Sequence, residues 1–187
     1  MNEYPNHVVA LAVVRHPSEP ADRGQPPRIY SIGAFTCERL TDWEARFTET
    51  HVAFASDDPS CLPLAHVKSL LRRDSHVVTC APAERHTSRR TRKDLDFLLP
   101  GTEELPRARR RIFRASDERL SQLGWQFDLE LNHEDATVLQ QARSAARRAQ
   151  AAWLTSVAAT HDLPTKSALL TSYRAWRIIQ NAMPIRF

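Results

Sequence analysis

Hydrophobic and polar positions near the start of this chain predict three β-strands. Residues 7–14 are almost continuously apolar, which is typical of a strand covered on both faces. A polar, proline-rich stretch separates them from the second predicted strand at residues 28–37. The polar link at 38–42 leads to a third predicted strand at 43–48, and so short a link favours an antiparallel hairpin.

The next stretch predicts a helix at residues 62–73 and a short strand at residues 75–80. One face of the predicted helix carries Leu64, Val67, Leu70 and Leu71. A strand that follows a helix at this point would pair parallel to the first strand through a right-handed crossover. The expected fold class is therefore α/β, with a mixed sheet of three antiparallel strands plus a parallel strand.

The middle of the chain has a weaker pattern. Residues 87–99 predict another helix, which ends before Pro100 and Gly101. Residues 103–115 fit either an exposed arginine-rich loop or a short strand around Ile112 and Phe113. The sequence leaves that choice open.

The C-terminal part predicts two helices. Apolar residues recur at steps of three and four over residues 136–159, the clearest helical pattern in the chain. Residues 162–164 break this pattern, and residues 165–181 predict a last helix. The pair is compatible with a helix-turn-helix that reads DNA, or with a helical hairpin that docks on the sheet or on a partner protein.

Size and composition favour one α/β domain. The chain has 187 residues, 42% of them hydrophobic and 26% charged, which suits a single sizeable core. We expect the domain to cover residues 1–160 and a helical extension to cover residues 161–187. No apolar run approaches the roughly 20 residues that span a bilayer, and the first residues lack a signal-peptide pattern. The expected location is the cytoplasm, without a membrane partner.

The sequence lacks the motifs of several common nucleotide-binding and metal-binding sites. The chain has four glycines and neither a phosphate-binding loop nor a dinucleotide-binding loop. Its three cysteines, Cys37, Cys61 and Cys80, lie far apart and without zinc-ligand spacing, so buried free thiols are expected. His66 and His76 are interpreted as packing or surface residues.

The basic residues are clustered rather than dispersed, in a chain of net charge +4. Two stretches without an acidic residue hold Arg85, Arg89, Arg90, Arg92 and Lys93, and then Arg107, Arg109, Arg110, Arg111 and Arg114. Clustered arginine is typical of a surface that contacts nucleic-acid phosphates. A solvated surface, or an interface with an acidic protein, would give the same pattern.

The order of these elements resembles the DEDD exonucleases of the ribonuclease-H-like fold, a family that includes the proofreading subunit of bacterial replicases. The family's second strand typically reads Ile-x-x-Ile-Gly-Ala, and residues 29–34 read Ile-Tyr-Ser-Ile-Gly-Ala. Residues 8–11 and 77–81 resemble the strands that carry its first two motifs. His133 and Asp135, before the alanine-rich helix, resemble its third motif. The resemblance implies a ribonuclease-H-like sheet with the first strand at its centre.

The same resemblance implies that nuclease activity is lost. The family holds two metal ions with an Asp-x-Glu motif on the first strand, and the matching residues here are Ala12 and Val14. Neither side chain can ligate a hard cation, which requires oxygen donors. Glu84 and Arg85 follow the strand that would carry the second motif. We therefore expect no metal, no cofactor and no catalytic residue.

The resulting hypothesis is a catalytically inactive exonuclease-like subunit of a nucleic-acid-processing complex. The arginine clusters would bind nucleic acid, and apolar helix faces would bind a protein partner. One alternative is an active Mg²⁺- or Mn²⁺-dependent nuclease with a rearranged site drawn from Glu84, Asp94, Asp96, His133 and Asp135. The other is a DNA-binding regulator that uses the C-terminal helices.

Overall fold

The computed structural model describes residues 4–15, 29–53, 69–82, 110–115, 122 and 138–182. Their strands are β1 (His7–Arg15), β2 (Ile29–Arg39), β3 (Ala45–Ala53), β4 (His76–Pro82) and β5 (Arg110–Ala115). Two helices follow them, α1 (Val138–Ala158) and α2 (Leu163–Ala182). The strands form one sheet in the order β3-β2-β1-β4-β5.

The sheet is mixed, as the sequence predicts. β1 pairs antiparallel with β2, and β2 pairs antiparallel with β3. On its other side β1 pairs parallel with β4, from Val8 opposite His76 to Ala10 opposite Val78. β5 adds a second parallel pairing beyond β4. The α/β fold class is therefore confirmed, with β1 inside the sheet between an antiparallel and a parallel neighbour.

The apolar run of β1 is buried on both faces of the sheet, as its pattern predicts. Val8 and Ala10 belong to the core cluster that includes α1, and both are at most 1% exposed. Val9 and Leu11 point to the opposite face because strand side chains alternate, and both are fully buried. A half-exposed strand would have shown polar residues at every second position.

Small residues let α1 approach the sheet closely. Ala145, Ala146 and Ala149 of α1 are completely buried. A Cβ atom added at Gly33 of β2 would overlap the backbone carbonyl of Ala145 and the amide nitrogen of Ala146. Only glycine fits at this position, because the obstacle is the helix backbone rather than a flexible side chain.

Five aromatic rings form the centre of the core between the sheet and the helices: Phe35, Phe47, Trp153, Tyr173 and Trp176. Phe35 and Phe47 stack at 5.7 Å on the neighbouring strands β2 and β3. Trp153 of α1 meets Phe35 edge-on at 5.4 Å, in one of the preferred aromatic arrangements. Tyr173 and Trp176 bring α2 into the same cluster, so α2 packs on the sheet and α1.

A chain of polar contacts attaches α2 to α1 and β3. Tyr173 donates a hydrogen bond of 2.6 Å to the amide oxygen of the buried Gln150. Gln150 in turn donates to the Glu49 carboxylate, which also accepts a 2.9 Å bond from Arg147. The predicted hairpin that docks on the sheet is therefore present, whereas DNA reading by the two C-terminal helices stays a prediction.

Several predicted boundaries were wrong. The third strand begins at Ala45 rather than at residue 43, because Thr41 Oγ1 accepts hydrogen bonds from the amides of Trp43 and Glu44 and so forms a turn there. Leu71 and Arg72 are not helical, because a turn at 72–75 leads the chain into β4.

The last helix also starts earlier than predicted. It begins at Leu163 and includes Pro164 in its first turn, where a missing amide hydrogen costs no helical bond. Residues 62–68 and the predicted helix at 87–99 lie outside the described residues.

Candidate functional site

The positions that the resemblance implies for metal ligands lie in β1. Ala12 stands opposite Gly33 in the antiparallel ladder, and Val14 stands opposite Ser31. Ala12 is partly buried and packs against the core cluster beneath α1. The close approach of α1 at Gly33 therefore gives Ala12 a packing role in the structure.

The described residues contain no cluster that could hold a metal ion. No three His, Cys, Asp or Glu side chains within these ranges converge on one point. The candidates for a rearranged site, Glu84, Asp94, Asp96, His133 and Asp135, lie outside the described residues. Their role stays a prediction.

Part of the second arginine cluster lies in the last strand of the described sheet. Arg110, Arg111 and Arg114 belong to β5, at one end of the sheet, so the strand alternative for this stretch is the one observed. Their backbones pair with Val77, Val78 and Ala81 of β4. The other predicted phosphate contacts lie outside the described residues: Arg85, Arg89, Arg90, Arg92, Lys93, Arg107 and Arg109.

The two long helices are also basic. Neither α1 nor α2 contains an acidic residue, whereas α1 has three arginines and α2 has two arginines and a lysine. Glu49 of β3 pairs with one of these cations, Arg147. Arg174 of α2 is exposed, and so adds positive charge to the surface.

Two acidic groups near the β2–β3 hairpin, Glu38 and Asp42, are paired with arginines. Glu38 lies 2.5 Å from Arg72 and 3.9 Å from Arg46. The hydrogen bond from Arg72 lowers the pKa of Glu38. Asp42 lies 3.3 Å from Arg39, whose guanidinium also donates to the backbone oxygen of Tyr4. This region is balanced in charge, which makes it a poor surface for an anion.

Trp43, at the tip of the β2–β3 hairpin, is 77% exposed. Ser172 of α2 donates to its backbone oxygen at 3.1 Å, and this bond ties the tip to the helix. Leu163, Ile178 and Ile179 of α2 are also large apolar residues with more than half of their surface exposed. The sequence prediction missed the exposure of Trp43, because it placed this residue inside the predicted strand at 43–48.

A buried histidine and serine meet where β1 and the turn before β4 begin. His7 Nδ1 lies 2.7 Å from Ser75 Oγ, and the two residues are 4% and 0% exposed. Burial, with a smaller contribution from the Arg72 charge, lowers the pKa of His7. Ser75 is too deeply buried to reach a substrate as a nucleophile. Nothing in the spacing of these two residues along the chain indicates the contact.

The described thiols are free, as predicted. Cys37 is buried and Cys80 is partly buried. Burial raises the pKa of Cys37 to about 12 and also raises the pKa of Cys80. Both groups are therefore protonated at neutral pH and weakly nucleophilic. Cys61 lies outside the described residues.

Comparison of the chain with protein-family models, with curated proteins and with solved structures finds no match. Within the described ranges, neither helix is long and apolar enough to cross a membrane.

Proposed function

We propose that this chain is a ribonuclease-H-like domain, degenerate with respect to the DEDD exonucleases, that binds nucleic acid without cleaving it. It would act as a subunit or scaffold of a nucleic-acid-processing complex. The strand arrangement supports the proposal, because β1 lies between an antiparallel β2 and a parallel β4, as the resemblance implies. The Ile-Gly-Ala segment that carries the resemblance is in β2.

The observation that carries the proposed loss of catalysis is the position of Ala12. It lies in the central strand where the resemblance implies a metal-binding carboxylate, and it packs into the core instead. A mechanism with two metal ions needs carboxylates to hold both ions and neutralise their charge. A methyl group supplies neither function.

The arginine-rich edge of the sheet supports nucleic-acid binding. Arg110, Arg111 and Arg114 follow one another closely in β5, a strand without an acidic residue. Within the described sheet β5 is the last strand, and a strand in that position suits an interface. The exposed apolar residues Ile178 and Ile179 of α2 are the proposed contact with a protein partner.

A nuclease assay tests the loss of catalysis. We expect no degradation of single- or double-stranded DNA or RNA by the purified protein with Mg²⁺ or Mn²⁺. The matched controls are Glu84→Ala and Asp135→Ala, purified in parallel. Metal-dependent cleavage that either substitution abolishes would instead establish the rearranged-site nuclease.

A binding assay tests the arginine interface. Affinity for nucleic acid should fall with salt by about 0.7–0.9 log unit per log unit of salt for each phosphate engaged. Replacement of Arg109, Arg110 and Arg111 by alanine should weaken binding to all sequences and flatten the salt dependence, because phosphate contacts carry no base information. Fluorescence anisotropy with labelled oligonucleotides measures both quantities.

The matched control removes the same formal charge elsewhere. Arg46, Arg73 and Arg174 are exposed and lie outside both clusters, so their joint replacement by alanine should reduce affinity much less. If both triple variants lost the same affinity for nucleic acid, net charge alone would explain binding. Unchanged affinity of the first variant, both alone and within its native complex, would refute the proposed interface.

A further inference from the structure

The parallel junction between β1 and β4 is short. Its register covers three residue pairs, whereas the β1–β2 ladder runs the whole length of β1. Two side-chain hydrogen bonds between described residues strengthen the junction. Thr79 Oγ1 donates to the backbone oxygen of Leu11 at 2.7 Å, and Ser75 Oγ lies 2.7 Å from His7 Nδ1. Only the second of these bonds involves a group that titrates near neutral pH.

The surroundings of Ser75 favour one direction for its bond to His7. The amide of Arg72 donates to Ser75 Oγ at 2.6 Å, so the serine oxygen already accepts one hydrogen bond. Among the described residues, His7 Nδ1 is the one acceptor that the Ser75 hydroxyl hydrogen can reach. A donating Ser75 hydroxyl satisfies both partners, so we assign His7 Nδ1 as the acceptor, which places the hydrogen of the neutral ring on Nε2.

Protonation of His7 would break this arrangement. With a hydrogen on Nδ1, the Ser75 oxygen would have to accept from both His7 and the Arg72 amide, and the buried Ser75 hydroxyl hydrogen would lose its acceptor. Among the charged groups near His7, Arg72 opposes protonation, while Glu38 of β2 and Asp74 of the turn favour it. Among the described residues, His76 is a further titratable group near this position, opposite Val8 at the start of β4. Burial and Arg72 together outweigh the two carboxylates, and the pKa of His7 is lowered.

We propose that the His7–Ser75 hydrogen bond is an acid-sensitive latch that holds the turn at 72–75, and with it β4 and β5, against β1. Neutral His7 closes the latch, and protonation opens it. Because β4 carries the arginine-containing strand β5, opening would loosen one end of the sheet while the β2–β3 hairpin stays paired. The latch would act in the same way whether or not the protein binds nucleic acid.

The stability that the latch contributes should decrease as the pH falls. The unfolded chain binds a proton at His7 near the ordinary pKa of about 6.5, whereas the closed form resists it until a lower pH. The latch therefore contributes its full stability above about pH 6.5 and loses it as the pH falls toward the lowered pKa of His7. In that range the opening equilibrium should shift by up to about tenfold for each pH unit.

Amide hydrogen exchange by NMR tests the latch. Between about pH 7.5 and about pH 5, the protection factors of the β4 and β5 amides should fall relative to those of β2 and β3. His7→Asn places a non-titrating acceptor near the Nδ1 position and should remove this difference. Thr79→Val breaks the other side-chain bond at the junction and should lower protection at both pH values without changing the pH dependence. His161→Asn, at an exposed position, should behave as the parent.

Nitrogen chemical shifts of the His7 ring in the unmodified protein provide a test that needs no variant. They should report hydrogen on Nε2 at neutral pH and a pKa below the ordinary value. Hydrogen on Nδ1, or titration at the ordinary pKa, would overturn the proposal. The proposal would also be overturned if the amides of β4 and β5 kept their protection factors relative to β2 and β3 at about pH 5.

Discussion

At the scale of single residues, Gly33 shows how one missing Cβ atom determines a packing distance. The residue lies where the backbone of α1 comes close to β2, opposite Ala12 in β1. The alanines of α1 bring the helix to this distance, and glycine removes the last obstacle. The glycine of the Ile-Gly-Ala segment is therefore required by helix packing, whatever the chain binds.

Gly33→Ala should destabilise the protein by at least about 3 kcal/mol, beyond the usual range for an added methyl group, because the backbone of α1 must move. Urea denaturation measures the loss. Ala145→Gly should not rescue it, since the overlapping atoms belong to the backbone at Ala145 and Ala146. Ala34→Gly, on the opposite face of β2, should cost only about 1–2 kcal/mol. Rescue by Ala145→Gly would contradict the backbone explanation.

Two buried tyrosine hydroxyls should contribute unequally to stability. Tyr173→Phe leaves the amide oxygen of the buried Gln150 without its donor, which should cost about 1–3 kcal/mol. Tyr4→Phe removes a donor to Ser156, but the Ser156 hydroxyl keeps its own 2.7 Å bond to the Trp153 carbonyl. That loss should be about 1 kcal/mol or less. Thermal or urea unfolding of the two variants compares them, and the reverse order would contradict this assignment of the hydrogen bonds.

At the scale of secondary-structure elements, α2 shows how a proline and an acidic cap start a helix. Asp162 accepts a 2.6 Å hydrogen bond from the Thr165 hydroxyl, and its backbone oxygen accepts the amide of Lys166. Pro164 follows within the first turn. The same residues that end the predicted helix at 136–159 therefore begin the next one.

Asp162→Ala should lower stability by about 0.5–2 kcal/mol, since it removes the cap of a helix that carries part of the core. The chain offers Ser167→Ala as a control, because Ser167 is exposed on the same helix one turn further on. That substitution should change stability by less than about 0.5 kcal/mol. Equal effects of the two changes would show that Asp162 does not act as a cap.

At the scale of the whole molecule, the aromatic cluster joins the sheet and both helices into one core. Tyr173 and Leu169 of α2 are almost completely buried in the same cluster as Phe35 and Trp153. The sequence predicts a helical extension after residue 160, and the structure places that helix against the core.

A chain shortened after residue 160 should therefore lose cooperative unfolding. Removal of α2 would expose Phe35, Phe47 and Trp153, whose burial contributes several kcal/mol in total. The full chain should give coincident unfolding transitions by circular dichroism and tryptophan fluorescence. A shortened chain that keeps a sharp transition at a similar urea concentration would show that α2 is an independent extension.

Local patterns along the chain determined which elements form. The continuous apolar run of β1 indicates a buried strand, the short polar link between β2 and β3 indicates a hairpin, and the alanine-rich face of α1 has the period of a helix. The positions of Ala12 and Val14 within β1 followed from the same pattern. Such patterns are local properties of the chain, so they can be found without knowing which segments meet.

Only the tertiary structure decided which distant residues meet and what each contact does. Arg110–Ala115 is a strand because β4 offers its edge, whereas its own sequence fits a loop equally well. The approach of α1 at Gly33, the Tyr173–Gln150 bond and the His7–Ser75 bond join segments far apart in the chain. Such contacts depend on strand order, register and the distance between layers, and these are set by the packing of the whole core rather than by any local period.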